Sequence, residues 1–327
     1  GKYIGEKWGG KFLRAPDIFF TILEKGKGKF VKLDNLAEVL PGCYSGINDF
    51  FYLDDGRVQQ NRIEKRYCKE LVRSSDSVAQ LKLPTMVTNY VLAVPSISAS
   101  EINKLGHNNV LSYIKWGEEQ VTRKRQKTAA GIPWPKVESV KNRRFWYSIP
   151  ENNLLPTKLF MQYVSNDRFY CPYSEQLLIS DRCFHRLFPK GEVDRKVLAA
   201  VLNSTLQMFF VMLLGRSNLG QGALKFEASD AKNALVLDVR EAESKVAMGL
   251  ASAVEILGKR IAVSIFEECS IDRKKEIRDQ EPRPLPDRKR LDDIVFDAIG
   301  LTAAERKEVY WSVCELVKTR LDKAGSV

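Results

Sequence analysis

The chain has 327 residues, 44% of them hydrophobic, enough for one large domain or two smaller ones with real cores, and its net charge is +11. No apolar run approaches the roughly 20 residues of a membrane span, and the opening GKYIGEKWGG has neither a starting Met nor the apolar stretch of a signal peptide. A first residue of Gly suggests a piece of a longer protein, and six cysteines without a C-x-x-C pair, beside only two histidines, argue for free thiols in the cytoplasm and against a zinc site.

Residues 11–25 read as a short helix, apolar at Phe12, Ile18, Phe19, Ile22 and Leu23 and ended near Gly26. The KGKGK run at 25–29 reads as a solvated hinge. Residues 31–40 alternate imperfectly and fit strand or helix, and Pro41-Gly42 turns the chain. Residues 50–53 read as a short strand before a hairpin turn at Asp54-Asp55-Gly56. Segment 64–73 looks helical and basic, whereas 87–94 is a strand broken by Pro95. A helix starts over 98–104, and a charged helix over 109–128 stops before Gly131-Ile132-Pro133. Segments 145–149, 159–164 and 176–180 read as strands separated by Pro150, Pro156 and Pro172.

From Asp194 the chain is apolar at Val197, Leu198, Val201, Leu202, Leu206, Phe209, Phe210, Leu213 and Leu214. That spacing predicts one helix buried on most sides, capped by Asp194 and ended by Gly215 in a left-handed turn. A loop with two glycines follows, carrying Arg216, Asn218, Gln221 and Lys225, able to lie close to a polyanion and still offer donors. Val246, Leu250, Val254, Leu257, Ile261 and Ile265 recur at steps of three and four, which predicts one long amphipathic helix over 241–268. A charged linker with three prolines occupies 273–287. Leu291, Ile294, Val295 and Ile299 mark a short helix, and Thr302-x-x-Glu305 is a capping box for the last one.

The fold class expected is α+β, a mostly antiparallel domain of short strands followed by a long helix and a helical C-terminus. Charge is not spread evenly. Between 115 and 145, nine cations (Lys115, Arg123, Lys124, Arg125, Lys127, Lys136, Lys141, Arg143, Arg144) face three acids, bracketed by Trp134, Trp146 and Tyr147. Such a patch suits phosphate contacts, which fix register without reading sequence. Asp230 with Glu243-x-Lys245 mimics the spacing of a metal-dependent nuclease, a pattern common by chance, and His107 and His185 lack nucleophile partners.

Three segments carry a resemblance: WGGKFLRAPDIFFTILEKGKGKFVKLDNLAEVLPGCYSGINDFFYL at 8–53, LNS plus an apolar helix and GR-NLGQGALK into NALVLD at 202–238, and LPDRKRLDDIVFDAIGLTAAERKEVYWSVCELVKTRL at 285–321. In that order they resemble the target-recognition and C-terminal region of N6-adenine DNA methyltransferases, the type IIG-like restriction-modification enzymes, with a related layout in type I specificity subunits. The resemblance implies a linker helix over 1–29, a target-recognition domain over 30–240, a spacer-like helix over 241–270 and a helical tail over 271–327. It implies double-stranded DNA and an N-terminal methylase domain of the same polypeptide as partners, and no membrane. The chain has no glycine-rich S-adenosylmethionine loop and no N-P-P-Y motif, so no cofactor is expected in this fragment and S-adenosylmethionine in the parent enzyme.

Base reading needs paired donors and acceptors. The candidates are Arg123, Lys124, Arg125 and Lys127 on the charged helix, and Lys141, Arg143 and Arg144 before the 145–149 strand. Further candidates are Arg216, Asn218, Gln221 and Lys225 in the glycine loop and Ser45 and Asn48 in the early loop. Two other readings stay open: a basic-faced scaffold for RNA or an acidic protein, and a free-standing nuclease.

Overall fold

Of the 327 residues, the computed structural model describes 15–73, 78–124, 129–216 and 222–325. Pro16 precedes α1 (Asp17–Lys25), which turns Ile18, Phe19 and Ile22 inward and ends at Gly26. The lysine run after it is docked and does not form a free hinge: Lys25 Nζ meets Glu305 at 2.6 Å and Lys29 Nζ donates to the Ala298 carbonyl at 2.8 Å. The ambiguous stretch that follows uses both conformations, as β1 (Phe30–Lys32), α2 (Leu33–Leu36) and β2 (Ala37–Leu40).

Next come α3 (Asn48–Phe51), β3 (Tyr52–Asp54) and α4 (Asp55–Gln60). The strand expected at 50–53 is thus half helix. The expected hairpin at 54–56 is a helix start instead, because the Asp54 carboxylate accepts from Arg57 N at 2.8 Å and caps α4. Segment 64–73 is corrected from helix to a short 3-10 turn and β4 (Cys68–Val72), which antiparallel β5 (Asn89–Leu92) claims on one side. Tertiary pairing overrides helix propensity here. Ser98 and Glu101 form a capping box for α5 (Ala99–Lys104). Helix α6 (Asn108–Glu118) stops well short of 128. The chain reverses there: Thr122 N donates to Ile132 O at 2.8 Å and Gly131 N to Thr122 O at 2.9 Å. Residues 145–149, expected as a strand, form turns.

The second half brings β6 (Thr157–Gln162), β7 (Val164–Ser165), β8 (Tyr173–Ser180), β9 (Phe184–Pro189), α7 (Arg195–Leu202), α8 (Thr205–Leu214), β10 (Leu224–Lys225), α9 (Ala228–Lys232) and β11 (Leu235–Leu237). Asp194 caps α7, accepting from Lys196 N and Val197 N at 2.7 and 2.9 Å. The single apolar helix expected over 194–215 is two helices bent by 64°. Asn203 causes the break: its amide exchanges two 2.8 Å bonds with the Cys171 backbone. Ser204 then caps α8, and the buried Asp292 carboxylate accepts from Thr205 N at 2.7 Å and Thr205 Oγ1 at 2.6 Å. Gly215 is extended (φ −67, ψ 158), not left-handed. It is glycine because a Cβ would stand 2.6 Å from the Leu224 side chain.

The tail holds α10 (Ser244–Leu257), α11 (Ile265–Glu268), α12 (Pro286–Ile299) and α13 (Ala303–Gly325). The long helix expected over 241–268 therefore ends early. Arg260 turns the chain back by pairing with Glu268 at 2.6 Å and Asp287 at 2.5 Å. The last capping box forms as expected, with Thr302 N donating to Glu305 Oε2 at 2.7 Å.

The fold is α+β. A seven-stranded sheet runs β2-β9-β6-β8-β4-β5-β3, antiparallel except where β4 meets β8 through Leu71↔Ile179 and Val72↔Ser180. It joins two hydrophobic cores. The larger is built on α1, α7, α8, α10, α12 and α13. The smaller gathers Cys43 to Ile149 around Phe50, Tyr113 and Trp134. Among the described residues no single helix is long and apolar enough to cross a membrane; α7 and α8 are apolar because they fill the larger core.

Candidate nucleic-acid interface

At the junction of the two cores, the 42–48 loop lies against the turn between β8 and β9. Gly42 is packed so tightly there that a Cβ would stand 1.8 Å from the Asp181 carbonyl. Cys43 N donates to Ser180 O at 2.7 Å, Asp181 N to Val72 O at 3.0 Å, and Cys183 N to the Asp181 carboxylate at 2.9 Å. This fixed turn presents Arg182, exposed, with its guanidinium 5.3 Å from the ring centre of Tyr44, itself 46% exposed.

The same loop holds two candidates from the sequence. Ser45 is buried and gives its hydroxyl to Asn48 Oδ1 at 2.6 Å, while Asn48 is exposed. The Ser45 carbonyl accepts from Arg143 Nη2 at 2.8 Å, and Arg143 Nη1 reaches Ser148 O at 3.0 Å over the Phe51 ring. Arg143 is thus a clamp between two loops, half-buried, with its pKa lowered by desolvation. Beside it, Lys141 pairs with Glu138 at 2.5 Å, and Arg144 is exposed over the Phe145 ring. So the fold brings Ser45 and Asn48 together with Arg143 and its neighbours, across about a hundred residues of chain.

Arg123 and Lys124 lie exposed beyond the end of α6, not on a helix; Arg125 and Lys127 fall outside the described residues. The aromatics that bracket the cluster are core. Trp134 is 7% exposed, and the Phe50, Trp134 and Trp146 rings pack at 4.5–6.0 Å.

Arg216 and Lys225 form a second group, paired through their backbones at 2.8 and 2.9 Å. Arg216 meets Asp230 at 3.3 Å. Lys225 meets Glu227 at 2.6 Å and lies over Tyr163, and both contacts raise its pKa. Asn218 and Gln221 fall outside the described residues. The two groups are linked: Tyr163 N donates to Cys183 O at 2.9 Å and Phe226 N to Tyr163 O at 2.8 Å. A strip therefore runs from Arg216 and Lys225 through Tyr163, Arg182 and Tyr44 to Arg143 and Arg144. Arg182 and Tyr44 escaped the sequence reading because neither belongs to a run of cations or to a motif.

Some surface cations are compensated and others are not. Among the described residues, exposed Lys115, Arg123, Lys124, Lys136, Arg144 and Arg182 have no carboxylate within ion-pairing distance. In the C-terminal helices and the linker before them several cations are paired: Arg278 with Glu308 and Glu315 at 2.7 and 2.8 Å, Arg306 with Asp293 at 3.1 Å and with Asp297, and Arg273 with Asp322 at 2.8 Å. Exposed Lys274, Arg283 and Arg290 there have no carboxylate within ion-pairing distance among the described residues. Uncompensated surface cations attract polyanions and need break no ion pair to bind them.

The other chemistry has structural partners. Asp230 takes Glu227 N at 3.2 Å and the Arg216 pair, and among the described residues no group of three His, Cys, Asp or Glu could hold a metal. His107 bonds Tyr67 Oη at 2.6 Å. His185 bonds the Phe226 carbonyl at 2.7 Å, with burial lowering its pKa. The glycines of the 42–46 loop pack closely, a Cβ on Gly42 meeting Asp181 and Phe184 and one on Gly46 meeting Val140 and Arg143.

The curated type II methyltransferase M.AccI of Acinetobacter calcoaceticus is 22% identical over 236 residues, 71% of this chain, and the chain spans 40% of that relative's length. Among solved structures, the type IIG restriction endonuclease BpuSI superposes with a TM-score of 0.61 at 12% identity, over 94% of this chain and 34% of its own. The type IIL restriction-modification enzyme MmeI in complex with DNA gives 0.49 at 16% identity, over 90% and 36%. Residues 5–263 match the model of the type II methyltransferase M.Eco57I C-terminal domain. With most of its length inside that match, the chain belongs to the M.Eco57I C-terminal domain family of restriction-modification methyltransferases.

Proposed function

We propose that this chain is the DNA target-recognition part of a restriction-modification methyltransferase, gripping duplex DNA so that a methylase domain elsewhere in the same polypeptide can flip and methylate an adenine. The observation that carries this reading is the set of exposed cations around the smaller core, Lys115, Arg123, Lys124, Lys136 and Arg144, that have no ion-pair partner among the described residues. Lys115, Arg123, Lys124, Lys136 and Arg144 are assigned to phosphates. Arg143 and Ser45 hold the loops in place, and the strip through Arg182 to Arg216 and Lys225 extends the surface. S-adenosylmethionine belongs to the methylase domain, in keeping with the 40% of the M.AccI length that this chain spans.

The test is a salt titration of binding to duplex DNA with RNA and an acidic protein as competitors. The expected slope of log K against log salt lies between about −2 and −4.5, as two to five phosphate contacts dictate. The Arg123→Ala, Lys124→Ala double variant should flatten it by roughly 2. Stronger binding to RNA or to the acidic protein than to duplex would reverse the assignment.

A further inference from the structure

We propose that Arg182 reads the edge of a guanine, with Tyr44 as the residue that positions it. The inference rests on the reading above, that this surface binds duplex DNA, and it names a specificity-determining contact within it. Base reading requires a side chain whose donors are free and whose position is fixed before binding. Most arginines near the strip fail the first condition. Arg143 spends its guanidinium on the Ser45 and Ser148 carbonyls, Arg186 on four more carbonyls, and Arg216 on Asp230. Arg144 stacks only on its own neighbour Phe145, within a run of turns that no strand fixes.

Arg182 meets both conditions. The residues on either side of it are held: Ser180 O by Cys43 N, Asp181 N by Val72 O, Cys183 N by the Asp181 carboxylate, and Cys183 O by Tyr163 N. Gly42 fills the remaining gap, where a Cβ has no room. The guanidinium lies 5.3 Å from the Tyr44 ring centre, a cation–π contact that occupies no hydrogen-bond acceptor and leaves the paired donors available. A planar fork of two parallel donors matches O6 and N7 of guanine in the major groove.

The experiment selects duplexes with a randomised central window on the wild-type chain, on Arg182→Ala and Arg182→Lys, and on Tyr44→Phe and Tyr44→Leu. The wild type should enrich a motif containing a guanine. Arg182→Ala should lose preference at that position alone, by roughly 5- to 150-fold. Arg182→Lys, a folded control that keeps the charge but not the fork, should lose most of it. Tyr44→Phe should keep the preference and Tyr44→Leu weaken it at the same position, which a purely structural tyrosine would not do. Uniform loss of affinity on Arg182→Ala with an unchanged motif would make Arg182 a phosphate contact and overturn the proposal. A wild type that binds duplex without preference would sink this inference and leave DNA binding standing, whereas one that ignores duplex would sink both.

Discussion

Arg186 is the residue whose removal most directly tests how the two cores are held together. It is 2% exposed, and its guanidinium donates to the carbonyls of Pro41 at 2.9 Å, Leu155 at 2.9 Å, Asn152 at 3.1 Å and Asn153 at 3.2 Å. Those carbonyls lie at 41 and 152–155, on two segments that flank the stretch supplying most of the smaller core, although Val72 and Leu83 within that stretch pack on the larger one. No carboxylate shares the site, and burial lowers the guanidinium pKa. Arg186→Met keeps the length and removes all four bonds. Bonds to a charged donor contribute about 1.5–3 kcal/mol each. Against that stands the cost of keeping an ion out of water, several kcal/mol, which methionine does not incur. The carbonyls of Asn152 and Leu155 belong to exposed residues and can rehydrate. The net expectation is a loss of about 3 kcal/mol. Denaturant unfolding of wild type and variant measures it, with limited proteolysis across 150–156 to report loosening at the second segment. Arg186→Lys, with three donors instead of five, should fall between. A methionine variant within about 0.5 kcal/mol of wild type, the range of an ordinary surface change, would refute the clamp.

Three further outcomes follow from the same interior. Asn203→Ala removes the two bonds to the Cys171 backbone and one to Ala199 O at 2.8 Å, and should cost about 2–4 kcal/mol in denaturant unfolding. Asp292→Ala strips three donors, Thr205 N, Thr205 Oγ1 and Tyr310 Oη, from a fully buried site, and should cost about 3–5 kcal/mol. Asp292→Asn, of the same shape, should lose less; equal loss would mean that charge outweighs packing there. The hydrogen bond from Arg195, and then that from Lys196, lowers the pKa of Glu175 to about 2. Its contribution is therefore present above the ordinary value of 4.5 and lost as pH falls from there towards 2. Because the Glu175 side chain is 42% exposed, that contribution should stay below about 1 kcal/mol. Thermal melts of wild type and Glu175→Gln across that range should converge at the acid end.

Local signals were legible where one segment decides its own structure. Asp194 and the Thr302 and Glu305 box cap helices as their spacing predicts, and a helix forms within the 98–104 read as a helix start. The strands at 89–92, 157–162 and 173–180 form where the apolar runs lie. Apart from the hairpin at 54–56, lost to a local cap by Asp54, the main failures share a cause, a distant partner. Segment 68–72 is a strand because β5 and β8 pair with it. The apolar helix breaks at Asn203 because Cys171 and Asp292 capture the freed groups, and the long helix stops because Arg260 finds Glu268 and Asp287. The same holds for the site. The run of cations was plain in the sequence, but nothing local told the clamp Arg143 from the exposed Arg144, and Arg182 matters only because Tyr44 is folded against it.

That last contact lies at the junction of the cores, which bears on how the surface works. The sheet crosses from one core to the other through two residue pairs of β4 and β8, a short parallel ladder that is weak by itself. Besides the Cys43 N bond to Ser180 O, the junction is held by Arg186 on both connecting segments, while Tyr52 Oη on Cys43 O at 3.2 Å and Arg143 on Ser45 O tie the 42–48 loop to the smaller core. These bonds hold the cationic part at a fixed angle to the Arg182 turn. Under the proposed function, phosphate contacts on one side would set the register, and a base contact on the other would be useful only if that angle is rigid. Loosening the clamp should then blur sequence preference before it weakens binding, because affinity adds over separate cations while a paired donor fork tolerates little misplacement.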